Sequence, residues 1–173
     1  LCARHGAALV LTHCRGAMSD MADFSAYPAD GYADVCTEVA AEWRAAADEA
    51  MAAGLPREQV WFDPGFGFAK NAEQSLALLA GLAELKAMLG HPVLCGPSRK
   101  SFVAAAAVSF GSSPALRPDR AQPAPKDRLG GSIAAALACA RRGADMLRVH
   151  DVAEVAQALA FEAEIEERAC SRG

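Results

Sequence analysis

The 173 residues contain no CxxC pair, and none of the six cysteines, at positions 2, 14, 36, 95, 139 and 170, has a histidine at zinc-ligand spacing. A structural zinc site is therefore not expected, and reduced thiols in a cytoplasmic protein fit the pattern. Long apolar runs are missing as well. The longest, residues 133–140, falls well short of the roughly 20 residues that span a bilayer, so no membrane anchor is expected. The chain opens without a basic-then-apolar pattern, and the lack of an internal repeat or heptad series argues against a solenoid and a coiled coil. Positive charge is not in excess: 17 Lys and Arg against 21 Asp and Glu leave a net charge of −4. That balance gives no nucleic-acid footprint, although a local basic cluster can still hold a small anion. With 53% hydrophobic and 22% charged residues, a single globular domain over residues 1–173 is expected. The chain opens Leu1-Cys2-Ala3-Arg4-His5, with no initiator methionine and with what reads as the tail of a helix before its first strand. It is expected to be part of a longer protein.

What is present is an alternation of short β-type runs and longer helical patterns. Strands are predicted at 7–13, 60–62, 92–95 and 145–149. Helices are predicted at 31–53, 72–89, 98–110, 129–142 and 152–168, with Gly54, Gly90 and Gly143 as stops. Gly81, inside the second of these, costs up to about 1 kcal/mol against alanine and is expected to permit close packing. The Pro-rich stretch 111–125 reads as a loop insertion, and 15–30 as a long polar loop. Strands each followed by a helix predict a parallel α/β fold with function at the strands' C-terminal ends. Four such units are half of a (β/α)8 barrel, and a half would leave two open sheet edges.

The chain is organised around Phe62-Asp63-Pro64-Gly65-Phe66-Gly67-Phe68-Ala69-Lys70-Asn71. A strand ends on a carboxylate, and Pro64, Gly65 and Gly67 keep the following backbone out of helix or sheet. Phe66 and Phe68 then sit on a loop beside Asp63, a seat for a flat hydrogen-bonding ring, or else a turn whose aromatics fold back onto the core. In Ser98-Arg99-Lys100-Ser101, two cations in the first turn of a helix oppose its dipole by about 0.3–1 kcal/mol each, so an anion is expected there, with Ser98 as N-cap. The alternative is a pair of ordinary solvated side chains. On the last strand, period-two alternation puts Met146, Arg148 and His150 on one face and Leu147 and Val149 on the other. Arg148 and His150 would point into the barrel mouth, suited to stacking on a ring or gripping phosphate. His13 is open between a structural histidine and a member of the site.

These three motifs, in order, resemble the C-terminal half of bacterial dihydropteroate synthase. The resemblance runs from Gly6 to the last helix and implies strands five to eight of a (β/α)8 TIM barrel. That family joins 6-hydroxymethyl-7,8-dihydropterin pyrophosphate to p-aminobenzoate, giving 7,8-dihydropteroate and pyrophosphate in folate synthesis. Carried over, Asp63, Gly96, Lys100 and Arg148 would bind pterin, and Gly67, Phe68, Ser98 and Ser101 p-aminobenzoate. Arg148 and His150 would take the pyrophosphate, leaving Lys100, Arg148 and His150 as the catalytic set. The resemblance also implies magnesium, with its protein ligand in the first four strands and no metal ligand in this chain. It implies a homodimer through the last helices, and activity that needs the N-terminal half. A related pterin-binding methyltransferase domain and an inactive pterin-binding remnant are the alternatives. His13-Cys14-Arg15-Gly16, Pro97 and the 111–125 stretch depart from the family pattern.

Overall fold

Val60-Trp61-Phe62-Asp63 has the β-branched and aromatic character of an interior strand. It forms β2 (Val60–Asp63), with Val60 and Phe62 fully buried. The structure, a computed structural model, describes residues 1–16, 28–110 and 123–171. β1 (Leu9–Thr12) runs parallel to β2, pairing Leu9 with Val60 and so on to Thr12 with Asp63. The other neighbour of β2 is β3 (Leu94–Cys95), reached through a parallel bridge between Phe62 and Val93 and a 2.8 Å hydrogen bond from the Phe62 N–H to the Pro92 carbonyl. β4 (Met146–Leu147) pairs in parallel with β3. Strands neighbouring in sequence are thus neighbours in space, as a β/α alternation predicts. The strands are shorter than the apolar runs at 7–13, 92–95 and 145–149, because the ladder stops where the chain leaves for the loops.

One face of the sheet is covered by helices. In α2 (Val35–Ala52) the Asp34 side chain accepts from the Thr37 N–H and caps the first turn. Its buried positions Val35, Val39, Trp43 and Ala47 recur at helical spacing. Trp43 meets the Phe62 ring edge-on at 5.1 Å and donates its indole N–H to the Leu11 carbonyl at 2.8 Å, so one side chain ties α2 to both β1 and β2. The expected start at residue 31 is corrected to Val35, since Ala29–Gly31 is a separate 3-10 turn.

The predicted helix 72–89 is two helices. α3 (Ala72–Ala80), opened by a reciprocal Asn71–Gln74 capping box, stops at Gly81, and α4 (Leu82–Leu89) follows until Gly90. A Cβ on Gly81 would stand 3.1 Å from Cys36 Sγ, so the break falls where α2 presses closest. Its close-packing role is therefore as expected, while continuity of the helix is not.

α5 (Ser101–Phe110), α6 (Leu129–Arg141) and α7 (Val152–Cys170) complete the chain after a short N-terminal α1 (Cys2–His5). Residues 111–122 of the expected insertion and 17–27 of the expected long loop lie outside the described residues. Among those described, no helix is long and apolar enough to cross a membrane.

On the opposite face of the sheet, in register with Trp61 and Leu94, Val10 and Met146 remain 41% and 47% exposed.

Candidate active site

Asp63 ends β2 with a half-buried carboxylate. One oxygen accepts from the Thr12 hydroxyl at 2.9 Å and the other from the Gly65 N–H at 2.9 Å. A carboxylate offers roughly four lone-pair sites, so each oxygen keeps capacity for a further donor. The chain then passes so close to β1 that a Cβ on Gly65 would lie 2.0 Å from the His13 carbonyl oxygen, and its φ of +66 is also one that favours glycine. A 2.9 Å bond from the Phe68 N–H to the Gly65 carbonyl closes the turn. The two loop aromatics diverge. Phe66 is fully buried and packs on Phe102 of α5 with ring centroids 5.5 Å apart, while Phe68 stays half-buried at the rim. The two readings of this loop each describe one of its phenylalanines.

Under the turn lies Lys70, 1% exposed. Its ammonium contacts His13 Nδ1 at 2.9 Å and donates to the carbonyls of Phe68 at 2.9 Å and His13 at 3.2 Å. Because an ammonium only donates, Nδ1 accepts and the imidazole proton sits on Nε2, 3.0 Å from Glu42. Burial, then the neighbouring Lys70 charge, pushes His13 down to about 4, so its contact with Glu42 is a hydrogen bond of a neutral ring at pH 7. His13, left open by sequence, is buried with a partner on each ring nitrogen. Lys70 itself is pushed down to about 8, chiefly by burial.

The Ser98–Ser101 cluster differs from expectation in its backbone. The helix begins at Ser101, and Arg99 precedes it with φ +60 in the left-handed region, so the two cations do not lie in a first helical turn. Ser98 is not an N-cap. It is buried, and its hydroxyl oxygen accepts from the His150 main-chain N–H at 3.2 Å and pairs with His150 Nδ1 at 3.0 Å. Arg99 grips both carboxylate oxygens of Asp151, and that contact holds the Asp151 carboxyl below its usual range. The charge expected to await an external anion is thus answered within the chain at Arg99. The αL backbone of Arg99 is held by its N–H on Ser132 Oγ at 2.9 Å and its carbonyl on Arg128 at 2.8 Å.

Lys100 reaches across to the β2 loop. Its ammonium donates to the Phe66 carbonyl and lies 4.3 Å from the Phe68 ring centroid. Burial pushes it down to about 8, with Asp63 opposing and Arg148 reinforcing the shift. Those three charges therefore share one neighbourhood. A Cβ on Gly67 would meet Lys100 Cδ at 3.8 Å, and one on Gly96 would meet Arg148 Cβ at 3.9 Å. Arg148 donates its N–H to the Cys95 carbonyl at 2.9 Å. Arg148 and His150 are exposed while Leu147 and Val149 are half-buried, the alternation read from sequence.

Asp63, Gly67, Phe68, Gly96, Ser98, Lys100, Arg148 and His150 are thus gathered at the C-terminal ends of β2, β3 and β4, with Ser101 opening the adjacent α5. Sequence reasoning did not assign Lys70, Arg99 or Asp151 to the support of this rim. The signal for Arg99 and Asp151 was available, since each follows directly on a rim residue of its motif, Ser98 or His150. Among the described residues, no group of three or more His, Cys, Asp or Glu gathers to hold a metal ion.

The pterin binding enzyme family profile matches residues 1–150. The dihydropteroate synthase of Synechocystis sp. is 39% identical over 155 residues, covering 90% of this chain and 47% of that protein. Dihydropteroate synthase from Xanthomonas albilineans, solved in complex with 7,8-dihydropteroate, superposes with a TM-score of 0.74 at 34% identity, covering 95% of this chain and 53% of the other. The same enzyme with 4-aminobenzoic acid gives a TM-score of 0.76 at 34% identity, covering 95% and 51%. The chain spans about half the length of the curated relatives it matches. A profile match over most of its length, joined to a strand-end rim of this composition, makes the chain a member of the pterin binding enzyme family.

Proposed function

We propose that this chain supplies one half of a dihydropteroate synthase active site, its β1 to β4 being strands five to eight of a (β/α)8 barrel. The observation that carries the reading is Lys100 bonded to the Phe66 carbonyl beside the Phe68 ring, at the strand-end rim where Asp63 ends β2 and Arg148 is tied to Cys95 of β3. Relatives solved with dihydropteroate and with 4-aminobenzoic acid support it. So does the sheet face left open at Val10 and Met146, which in a closed barrel faces the interior.

In this reading the free lone pairs of Asp63 accept from the aminopyrimidine edge of the pterin, Lys100 donates to its carbonyl, and Arg148 covers the ring beside Gly96. Gly67 and Phe68 border the p-aminobenzoate slot, and Ser101 with the start of α5 receives its carboxylate. Arg148 and His150 hold the pyrophosphate, and Ser98, bonded to His150, joins Ser101 on the p-aminobenzoate side. The bond from the pterin methylene to the pyrophosphate oxygen breaks, the aniline nitrogen bonds to that carbon, and the nitrogen loses a proton. Catalysis is positioning together with stabilisation of the leaving charge.

The family resemblance implies magnesium held from the first four strands, and among the described residues no group of three or more His, Cys, Asp or Glu gathers. All six cysteines are free, which suits the reducing cytoplasm. We place a dimer contact on α7, where Phe161 and Ile165 stand 69% and 50% exposed. Residues 1–173 form one partial barrel domain in this reading, with 111–125 a loop inserted between α5 and α6.

Calorimetric titration with the pterin pyrophosphate tests the site. Saturable binding is expected, and Asp63→Asn, which turns an acceptor-only group into half donor, should weaken it at least tenfold. Equal affinity in the two proteins refutes the assignment.

A further inference from the structure

Lys70 lies in the 62–71 motif around which the chain is organised, yet no part of the proposed chemistry uses it. Its ammonium is buried and contacts four acceptors: His13 Nδ1 at 2.9 Å and the carbonyls of Phe68 at 2.9 Å, His13 at 3.2 Å and Gly65 at 3.4 Å. Among the described residues, no carboxylate lies in salt-bridge contact with it. A buried cation is a costly way to fill a core, and an apolar side chain of similar volume would often serve stability as well. What the ammonium adds is geometry. Gly65 and Phe68 are the two ends of the turn closed by the Phe68 N–H, and Lys70 binds the carbonyl of each while a third bond ties the turn to the end of β1.

The carbonyls of this turn are divided between two lysines. Those of Gly65 and Phe68 point to Lys70 beneath, and that of Phe66 points to Lys100 at the rim. The Phe68 ring then lies under the same Lys100 ammonium. Rotating the 65–68 peptide planes would therefore move both contacts that hold Lys100.

We propose that Lys70 is a positioning residue for Lys100, setting the 65–68 turn so that the Phe66 carbonyl and the Phe68 ring hold the Lys100 ammonium at the rim. Its consequence for pterin affinity rests on the proposed function; the placement of Lys100 does not.

The chain has four lysines, at 70, 86, 100 and 126, so isotope-labelled lysine gives few side-chain signals, each assigned by substitution. Ring current from Phe68 should displace the Lys100 ε-methylene signal from that of exposed Lys126. In Lys70→Met, at least half of that displacement should vanish, while Lys86, held by Gly143 and Asp145, stays in place. Lys70→Arg, which keeps the donors, should retain more of it than Lys70→Met. A Lys100 signal unmoved in folded Lys70→Met overturns the proposal. Should Lys86 collapse as well, showing an unfolded chain, Lys70→Gln is read by the same criterion. Pterin pyrophosphate titrated into the wild-type protein separates the two ideas. No binding, with Lys100 displaced in Lys70→Met, retires the proposed function and leaves the positioning role; binding with Lys100 unmoved retires the positioning role alone.

Discussion

The Ser98 hydroxyl and His150 are joined twice, through the main-chain N–H at 3.2 Å and the ring Nδ1 at 3.0 Å. One residue further along each segment, Arg99 grips Asp151. Two strand-end loops 52 residues apart in sequence are therefore cross-linked side by side, which holds the imidazole of His150 against Ser98.

Ser98→Ala removes both bonds to His150, about 1 kcal/mol each, and should loosen the ring without unfolding the chain. Affinity for the pyrophosphorylated pterin should fall about fivefold, the equivalent of about 1 kcal/mol in binding, while affinity for the pterin without pyrophosphate holds. Parallel loss of both ligands in calorimetry would mean that Ser98 shapes the pterin pocket rather than the anion pocket.

Gly65→Ala should be among the most damaging small changes available, because the new methyl meets the His13 carbonyl at 2.0 Å on a backbone with φ +66. A loss of about 3 kcal/mol or more is expected. Gly130→Ala is the counterpart: nothing lies within 4 Å of its Cβ and it sits in α6, so a gain of up to about 1 kcal/mol is expected. Urea denaturation of both variants checks the pair.

Stability should fall in acid through His13. The folded ring is held to about 4 against an ordinary 6.5, so the unfolded chain takes up a proton below pH 6.5 that the folded chain refuses. The contribution is full above pH 6.5 and lost as the pH drops toward 4, by about 3 kcal/mol in all. Lys70 acts in the alkaline window: held to about 8 against 10.5, it releases its proton first in the folded chain, so its contribution rises between those values. Urea midpoints at several pH values test both, and His13→Gln should flatten the acid limb.

Lys100→Ala should lower pterin affinity about tenfold with little change in thermal midpoint. The removed cation is disfavoured by burial, and the Phe66 carbonyl to which it donates lies at the rim. A fall in midpoint of more than about 5 °C would make Lys100 a structural residue.

Much of the site was legible because its residues sit where local pattern is strong. The run Val60-Trp61-Phe62 marks a strand, Asp63-Pro64-Gly65 marks its end, and alternation along 146–150 sorts Arg148 and His150 from Leu147 and Val149. Other features depended on partners far along the chain. The start of α5 moved from Ser98 to Ser101 because the Ser98 hydroxyl is taken by His150 and the Arg99 backbone turns left-handed. The break at Gly81 falls beside Cys36 of another helix, a neighbour the local sequence does not reveal. Phe66 and Phe68, alike in sequence, part company because only Phe66 finds Phe102.

What the sequence by itself determined is the order of strands and helices, the loops at which polar residues collect, and the motifs that carry family membership, all of which rest on interactions within a few residues. Tertiary structure alone decided the states of Lys70 and His13. Nothing in the local sequence assigns Lys70 a burial, and it is buried where β1, 57 residues earlier, brings the His13 carbonyl and imidazole against the glycine-rich turn before it. Burial and charge depend on distances through space, and chain order carries no measure of those until the sheet has closed.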